Sequence, residues 1–409
     1  MGITFKLAWR NLWRQPRRTW LTTGAIVFSN TLLVLMISLQ FGMYRMMIDN
    51  TLQAFTGHMQ VQATDYLDDK KMRQTVPDVL SLSDEIRSAT GLNSVAARAV
   101  GFAFASSEDR SYGIQVVGVE PDYEPQVSNL PGLIKQGRFF ESSDAAEIVI
   151  GSMLARNLKV EPGDEITLLG SGKDGSFAAG IVTVAGIFNS GVDDLDRSIA
   201  EVPLAYFQDT FSMEGDGHQI VVNAPDLFLA PLVQQQVEAV LNGRSDVIVQ
   251  DWDSLLPGLQ QGIKADMATS WFMYGVLIVL VSFSVLNTQL MSVLERTREF
   301  GITMSLGLTP GRLGRLVVLE TLLMGGLGML LGMLSGALLT SYFGEVGFSW
   351  PGMDEMAAQF NLPGRFYPQV TLLSLLLGPS IVFASSLLAS LYPALRLHWL
   401  EPVSAMRAA

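Results

Sequence analysis

Four stretches of the chain run for about 20 residues or more with almost no charge, the length that crosses a bilayer. They are 20–41, 271–294, 316–343 and 370–391, and Glu320 in the third is the one charged residue among them. This pattern predicts four transmembrane helices. Ahead of the first, "TFKLAWRNLWR" (4–14) places Phe5, Ala8, Trp9, Leu12 and Trp13 on one helical face and Lys6, Arg10 and Arg14 on another. That is an interfacial amphipathic helix with Trp at headgroup depth. It reads equally as a topology anchor or as a functional elbow. The first apolar run is too long for the core of a signal peptide and no A-x-A-like site follows it, so it reads as an uncleaved anchor.

Apolar spacing of three and four continues past the bilayer edge. After the first run it passes through Phe41, Tyr44, Ile48, Leu52 and Phe55, and before the second through Trp252, Leu255, Leu259, Ile263, Met267 and Trp271. Two such stripes at the two doors of one domain predict a stalk in which the first two spans extend outward and pack together. Between them the period changes to two. "HMQVQA", "ARAVGFAFAS", "YGIQVVGVE", "EIVIG", "EITLLG", "GIVTVAGIF" and "HQIVVNA" are strand candidates, with helices expected at 82–89, 151–157 and 230–241. The fold class is therefore an α-helical membrane protein with four transmembrane helices plus a mixed α/β extracytoplasmic domain on a helical stalk.

Charge sets the orientation. Lys6, Arg10, Arg14, Arg17 and Arg18 precede the first span, Arg296, Arg298, Arg312 and Arg315 lie between the second and third, and Arg396 and Arg407 follow the fourth. Basic residues stay on the cytoplasmic side. The expected layout is a cytoplasmic elbow at 1–18, spans at 19–44, 271–294, 316–343 and 370–393, a domain at 45–270 outside, a cytoplasmic loop at 295–315, a short outer loop at 344–369 and a cytoplasmic tail at 394–409. The 45–270 segment has 15 Lys and Arg against 32 Asp and Glu, which keeps it soluble and argues against nucleic acid.

Candidate chemistry is sparse. There is no Cys, and His58, His218 and His398 lie far apart, so no metal site is expected. "GSGKDGS" lacks the spacing of a phosphate loop, since Lys173 precedes Asp174 and position 167 is Thr; it reads as a hairpin turn. "DDLD" (193–196) reads as a solvated acidic loop rather than a cation site. In the third span Gly328, Gly332 and Gly336 recur every four residues, a small-residue ridge for helix packing within the chain or across a dimer. Met43, Met46 and Met47, with Phe41 and Trp271, offer either a pliable surface for acyl chains or ordinary stalk packing.

With no visible energy source, the chain needs a partner motor. Between spans two and three, "SVLERTREFGITMSLGLTPGRLGRL" can form a short charged helix that Gly307 ends, a lever on which a cytoplasmic motor could dock. "ERTREFGITMSLGLTPGRL" resembles the coupling-helix signature of FtsX-like ABC permeases, the mechanotransmission group that includes macrolide exporters and lipoprotein-releasing permeases. "LAWRNLWRQPRRT" resembles that family's elbow. "GRFFESSDAAEIVIGSMLARNLKVEPGDEITL" with "TVAGIFNSG" and "EVPLAYFQ" resembles its periplasmic core domain, and "YPALRLHWLEPVSAMR" its C-terminal tail. "DWDSLLPGLQQGIKADMATSW" and "GLTP" look most like the lipoprotein-releasing branch.

The resemblance implies an inner-membrane permease subunit, not itself an enzyme. It would pair with a second permease, identical or homologous, and with a cytoplasmic ATPase dimer that binds ATP and Mg while this chain binds no cofactor. Glu295, Arg296, Arg298, Glu299, Gly301, Leu306 and Gly307 would couple to that ATPase. The expected task is extraction of lipoproteins or another amphiphile from the outer leaflet, with a periplasmic carrier or adaptor as further partner. Tripartite efflux of drugs or peptides, and signalling to a cell-wall hydrolase, are the alternatives.

Overall fold

The computed structural model describes residues 3–108, 110–349, 351–353 and 364–399. Part of the expected outer loop, at 350 and 354–363, and most of the expected tail, at 400–409, lie outside them. The chain forms two compact units, one of residues 1–44, 262–350 and 365–409 and one of residues 45–261 and 351–364.

The first unit is helical, and two of its helices run on into the second unit at 45–51 and 257–261. An amphipathic helix (Ile3–Arg14) precedes four span helices, Pro16–Thr51, Pro257–Glu295, Pro310–Val346 and Leu372–Arg396, with a loop helix (Thr297–Ser305) between the second and third. All four span helices are long and apolar enough to cross a membrane. Pro16, Pro257 and Pro310 each stand first in their helices, where a missing N–H costs nothing. The fourth opens on a reciprocal cap between Thr371 and Ser374. Trp252 and Leu255 leave the expected stripe. They form a separate turn, Trp252–Leu255, because Leu256 precedes Pro257 and is held out of helical geometry.

The glycine ridge faces the first span helix of the same chain. A Cβ at Gly328 would lie 2.6 Å from Ile26 Cγ2, at Gly332 2.5 Å from Asn30 Cβ, and at Gly336 2.8 Å from Val34 Cβ. Close approach lets polar groups meet, and Thr31 and Ser335 hydroxyls are 2.6 Å apart. Ser38 donates to Ser374 at 2.9 Å, and a relay runs from Tyr274 through Gln40 and Tyr44 to Asp266.

Among the described residues the second unit holds ten strands: β1 Met59–Ala63, β2 Val95–Ser107, β3 Arg110–Val119, β4 Ile134–Gly137, β5 Glu147–Gly151, β6 Glu165–Ser171, β7 Phe177–Phe188, β8 Ile199–Pro203, β9 Gln219–Val222 and β10 Val247–Asp251. The seven strand candidates correspond to β1, β2, β3, β5, β6, β7 and β9. The long β2 pairs with β3, β6 and β9. From β3 the ladder continues through β8, β5 and β7 to β6, which returns to β2, so six strands close into a ring. Ala103, Ala105, Val116, Ile148, Ile150, Ile166, Leu168 and Val182 fill one side of it. β1, β9 and β10 extend the sheet from β2, and β4 adds to β7.

"GSGKDGS" is the β6–β7 hairpin turn, with Gly175 at φ +84° and the Gly172 N–H donating to Ser176 O at 2.9 Å. "DDLD" is not a solvated loop but the start of a short helix, Asp193–Ser198. Asp193 and Asp194 are exposed, while Asp196 is buried and accepts from Ser190 N–H and the Ser152 hydroxyl, each at 2.9 Å. Among the described residues no cluster of metal-ligating side chains occurs.

Two buried ionisable groups give this unit a definite pH response. Burial, reinforced by Glu124 and opposed by Arg98, pushes the Glu201 carboxyl up to about 8. Burial pulls His218 down to about 4; its Nδ1 accepts from Val100 N–H at 2.9 Å. A folded-state proton on Glu201 loses stability as pH rises from the ordinary carboxyl range towards 8. Neutral His218 loses stability as pH falls from 6.5 towards 4. The two slopes oppose each other in mildly acidic solution, and above about pH 6.5 only the Glu201 slope acts, at up to about 1.4 kcal/mol per pH unit. Glu201→Gln is expected to flatten the decline in thermal midpoint between about pH 6.5 and 8; an unchanged decline would exclude Glu201 as its source.

Candidate functional site: the charged loop between the second and third spans

The loop helix is amphipathic over two and a half turns. Phe300, Gly301 and Met304 are buried, and with Val293, Leu313, Val317, Ala394 and Leu397 they make a small apolar core at one end of the helical unit. Gly307, at φ +96°, ends the segment, and Thr309 leads into the third span helix. The other face carries Arg298, Ile302 and Leu306, spaced by four and all exposed, with Ile302 at 48% and Leu306 at 78%. Two large aliphatic side chains thus stand exposed beside an arginine.

Arg296 turns inward, while Glu295 and Glu299 remain exposed but paired within the chain. Arg296 donates to both oxygens of Glu320, at 3.0 and 3.3 Å, and its guanidinium lies 5.0 Å from the Phe300 ring centre. Asn11 of the amphipathic helix donates to the same Glu320 Oε1 at 2.7 Å. Arg14 pairs with Glu299 at 3.1 Å and Arg18 with Glu295 at 3.5 Å. Glu320 is only 5% exposed, so its charge is tolerated because Arg296 and Asn11 satisfy it. The pairs of Arg14 and Arg18 are exposed and contribute roughly 0–1 kcal/mol each. Their effect is geometric: Asn11 ties the amphipathic helix to the third span helix through Glu320, Arg14 ties it to the loop helix through Glu299, and Arg18 ties the first span helix to the second through Glu295.

The seven predicted coupling residues thus separate by role. Glu295, Arg296 and Glu299 are occupied within the chain, Gly301 is core, Gly307 is the turn, and Arg298 and Leu306 face outward. Ile302, on the exposed stripe, and Asn11, Arg14, Arg18 and Glu320, in the ties, were not predicted. The i, i+4 spacing from Arg298 would have pointed to Ile302. No sequence signal pairs Arg14 with a glutamate 285 positions away.

The other predicted positions do not gather here. Phe41 packs among Ile26, Leu33, Ile37 and Tyr274, Met43 is 37% exposed, and Trp271 is 40% exposed with its ring 6.0 Å from Tyr274. Met46 and Met47, further along the same helix, are half-buried.

Four spans, a charged inter-span helix and a large α/β domain inserted after the first span define a membrane permease subunit. The FtsX-like permease C-terminal family matches residues 271–402 and the MacB-like periplasmic core domain family matches 19–240. The chain is 27% identical over 308 residues to the lipoprotein-releasing system transmembrane protein LolC of Xylella fastidiosa, covering 71% of this chain and 72% of that one. It is 26% identical over 305 residues to LolE of Haemophilus influenzae, covering 72% of each. The macrolide export ATP-binding/permease protein MacB of Bdellovibrio bacteriovorus is 24% identical over 351 residues, which is 82% of this chain but 50% of MacB. The chain belongs to the family with a MacB-like periplasmic core domain, joined here to an FtsX-like permease region. It is an ABC-transporter permease of the Lol and MacB type, an inner-membrane protein with a periplasmic domain.

Proposed function

We propose that this chain is the transmembrane subunit of a transporter powered by a separate cytoplasmic ATPase dimer, paired with a second permease, and that it extracts lipoproteins or a similar amphiphile from the outer leaflet of the inner membrane. Both termini and the 295–315 loop then face the cytoplasm and residues 45–270 the periplasm. The observation that carries the reading is similarity to LolC and LolE over nearly three quarters of their length. The exposed Arg298–Ile302–Leu306 stripe supports it as the surface the ATPase covers. ATP and Mg belong to that ATPase. Released substrate passes to a periplasmic carrier. The similarity to MacB favours efflux as the second reading.

Under the first reading Phe41, Met43, Met46, Met47 and Trp271 border the substrate path. Each buried methylene of an acyl chain contributes about 0.8 kcal/mol, so such a path needs apolar area more than polar contacts. Photocrosslinkers at Met43, Met47 and Trp271 are expected to capture a triacylated lipoprotein in proteoliposomes and to lose it when the ATPase and ATP are added. Crosslinks to the second permease alone, with normal release by Met47→Ala, would count against the path. The purified chain without its ATPase is expected to turn over no ATP; turnover would contradict the division of labour.

A further inference from the structure

The first span helix ends in an unusual way. Leu52–Thr56 form a π-helical turn, closed by the Gly57 N–H donating to Leu52 O at 2.8 Å. Such turns mark functional positions in helices. Gly57 has φ +75°, and a Cβ there would stand 2.3 Å from Val221 Cγ1, so the exit from the turn requires glycine.

Carbonyls at a helix end lack helical donors. Here other segments of the same unit, residues 45–261, supply them. Asn129 N–H donates to Gln53 O at 2.8 Å, the Ser128 hydroxyl to Ala54 O at 3.1 Å, and Gln60 Nε2 to Thr56 O at 2.6 Å. The fourth donor is Arg98 Nη1, which binds Phe55 O while its guanidinium lies 4.4 Å from the Phe55 ring centre. Arg98 stands on β2 and is fully buried, and its other donors grip both oxygens of the equally buried Glu124, Nε to Oε2 at 3.0 Å.

That is a costly way to hold a helix. Burying an ion pair carries a large desolvation penalty, and an apolar pair of similar volume is often as stable or more so. The sheet makes the alternative plain. Val119, directly opposite Arg98, and Val117 and Val149 nearby pack the same face with apolar side chains. A second acid, Glu201, sits in the row of Val117 and Val149 with neither oxygen hydrogen-bonded, which raises the cost further. Stability does not account for the pair. A directional, bidentate grip on the last turn of a helix does, because a guanidinium fork fixes orientation where apolar contacts slide.

We propose that Arg98 and Glu124 form a clamp that fixes the end of the first span helix to the strand ring, so that displacement of the helix moves the ring with it. Both are positioning residues. The clamp rests on the geometry alone, while its use in transport rests on the function proposed above.

The test uses the full chain in lipid nanodiscs with spin labels at Gln53 and Asp122, both exposed. The native chain is expected to give one narrow distance peak. Arg98→Met with Glu124→Leu is expected to broaden it at least twofold while the thermal midpoint stays equal or rises. A peak as narrow as the native one overturns the clamp. Should that variant fail to fold, Arg98→Lys retains the charge without the fork, and an unbroadened peak there overturns it equally. With the ATPase and a fluorescent triacylated lipoprotein, the double variant is expected to release at least tenfold less per ATP; undiminished release overturns the transmission role. If the native complex releases nothing, the proposed function fails and the distance comparison still decides the clamp.

Discussion

Under the proposed function, exchanging the two charges on the loop helix, Arg298→Glu with Glu299→Arg, is expected to leave the permease inserted and ATP hydrolysis running while release per ATP falls by about thirtyfold. The figure corresponds to losing one interface hot spot of about 2 kcal/mol. Arg298 is exposed and has its aliphatic neighbours Ile302 and Leu306 on the same stripe, so a partner covering the stripe must meet that charge. Glu299 makes only exposed pairs with Arg14 and Arg296, and their loss costs the fold little. Glu299→Gln alone therefore serves as the control and should retain most release. Measured stoichiometry of lipoprotein released per ATP decides the matter; a double variant at native stoichiometry would remove the stripe from the coupling surface.

Adding one methyl group to the third span helix is expected to have opposite effects at two glycines six positions apart. Gly332→Ala places a Cβ 2.5 Å from Asn30 Cβ and 3.1 Å from Val27 O. Neither helix can retreat without unpacking the other, and such overpacking costs roughly 1–3 kcal/mol. Beyond the adjacent turns of its own helix, nothing lies within 4 Å of where a Cβ at Gly326 would stand, so Gly326→Ala removes only backbone entropy and stabilises by roughly 0.5–1 kcal/mol. Gly332→Ile should exceed the first effect and deplete the protein from membranes. Thermal midpoints in detergent and membrane yield check all three. Equal behaviour of Gly326→Ala and Gly332→Ala would mean that the ridge packs elsewhere.

The long-period features of this molecule were readable from the chain because each is written in many residues at once. The four spans, the amphipathic helix and seven strands come from repeated apolar spacing. The strands that escaped are short or irregular. β4 is "IKQG", with two polar residues in four, and β8 is "IAEVP", whose Glu201 and Pro203 contradict a core strand although every residue of it is buried. At the loop, Arg298 and Leu306 could be placed on a helix by count, but their exposure could not. Glu295, Arg296 and Glu299 look as available as Arg298 in one dimension. Only the fold brings Asn11, Arg14, Arg18 and Glu320 to them and uses up their charge.

The closed ring has a consequence for what can meet the domain. Strand addition, by which an extended peptide joins a sheet and is held by main-chain hydrogen bonds, needs a free edge. Six of the ten strands lie in the ring, and the sheet path ends at β10 and β4, five and four residues long, the latter with an irregular register against β7. β3 meets β8 only from Gln115 onward and β7 meets β5 only from Thr183 onward, so the edges left open, like β10 and β4, offer only short lengths of backbone to a visitor. Side chains on the strand faces offer more to read, and there Phe102, Phe104 and Phe177 stand more than half exposed. Replacing such residues changes the visitor without disturbing a single ladder, so domains of this build can diverge in partner while their strands stay the same.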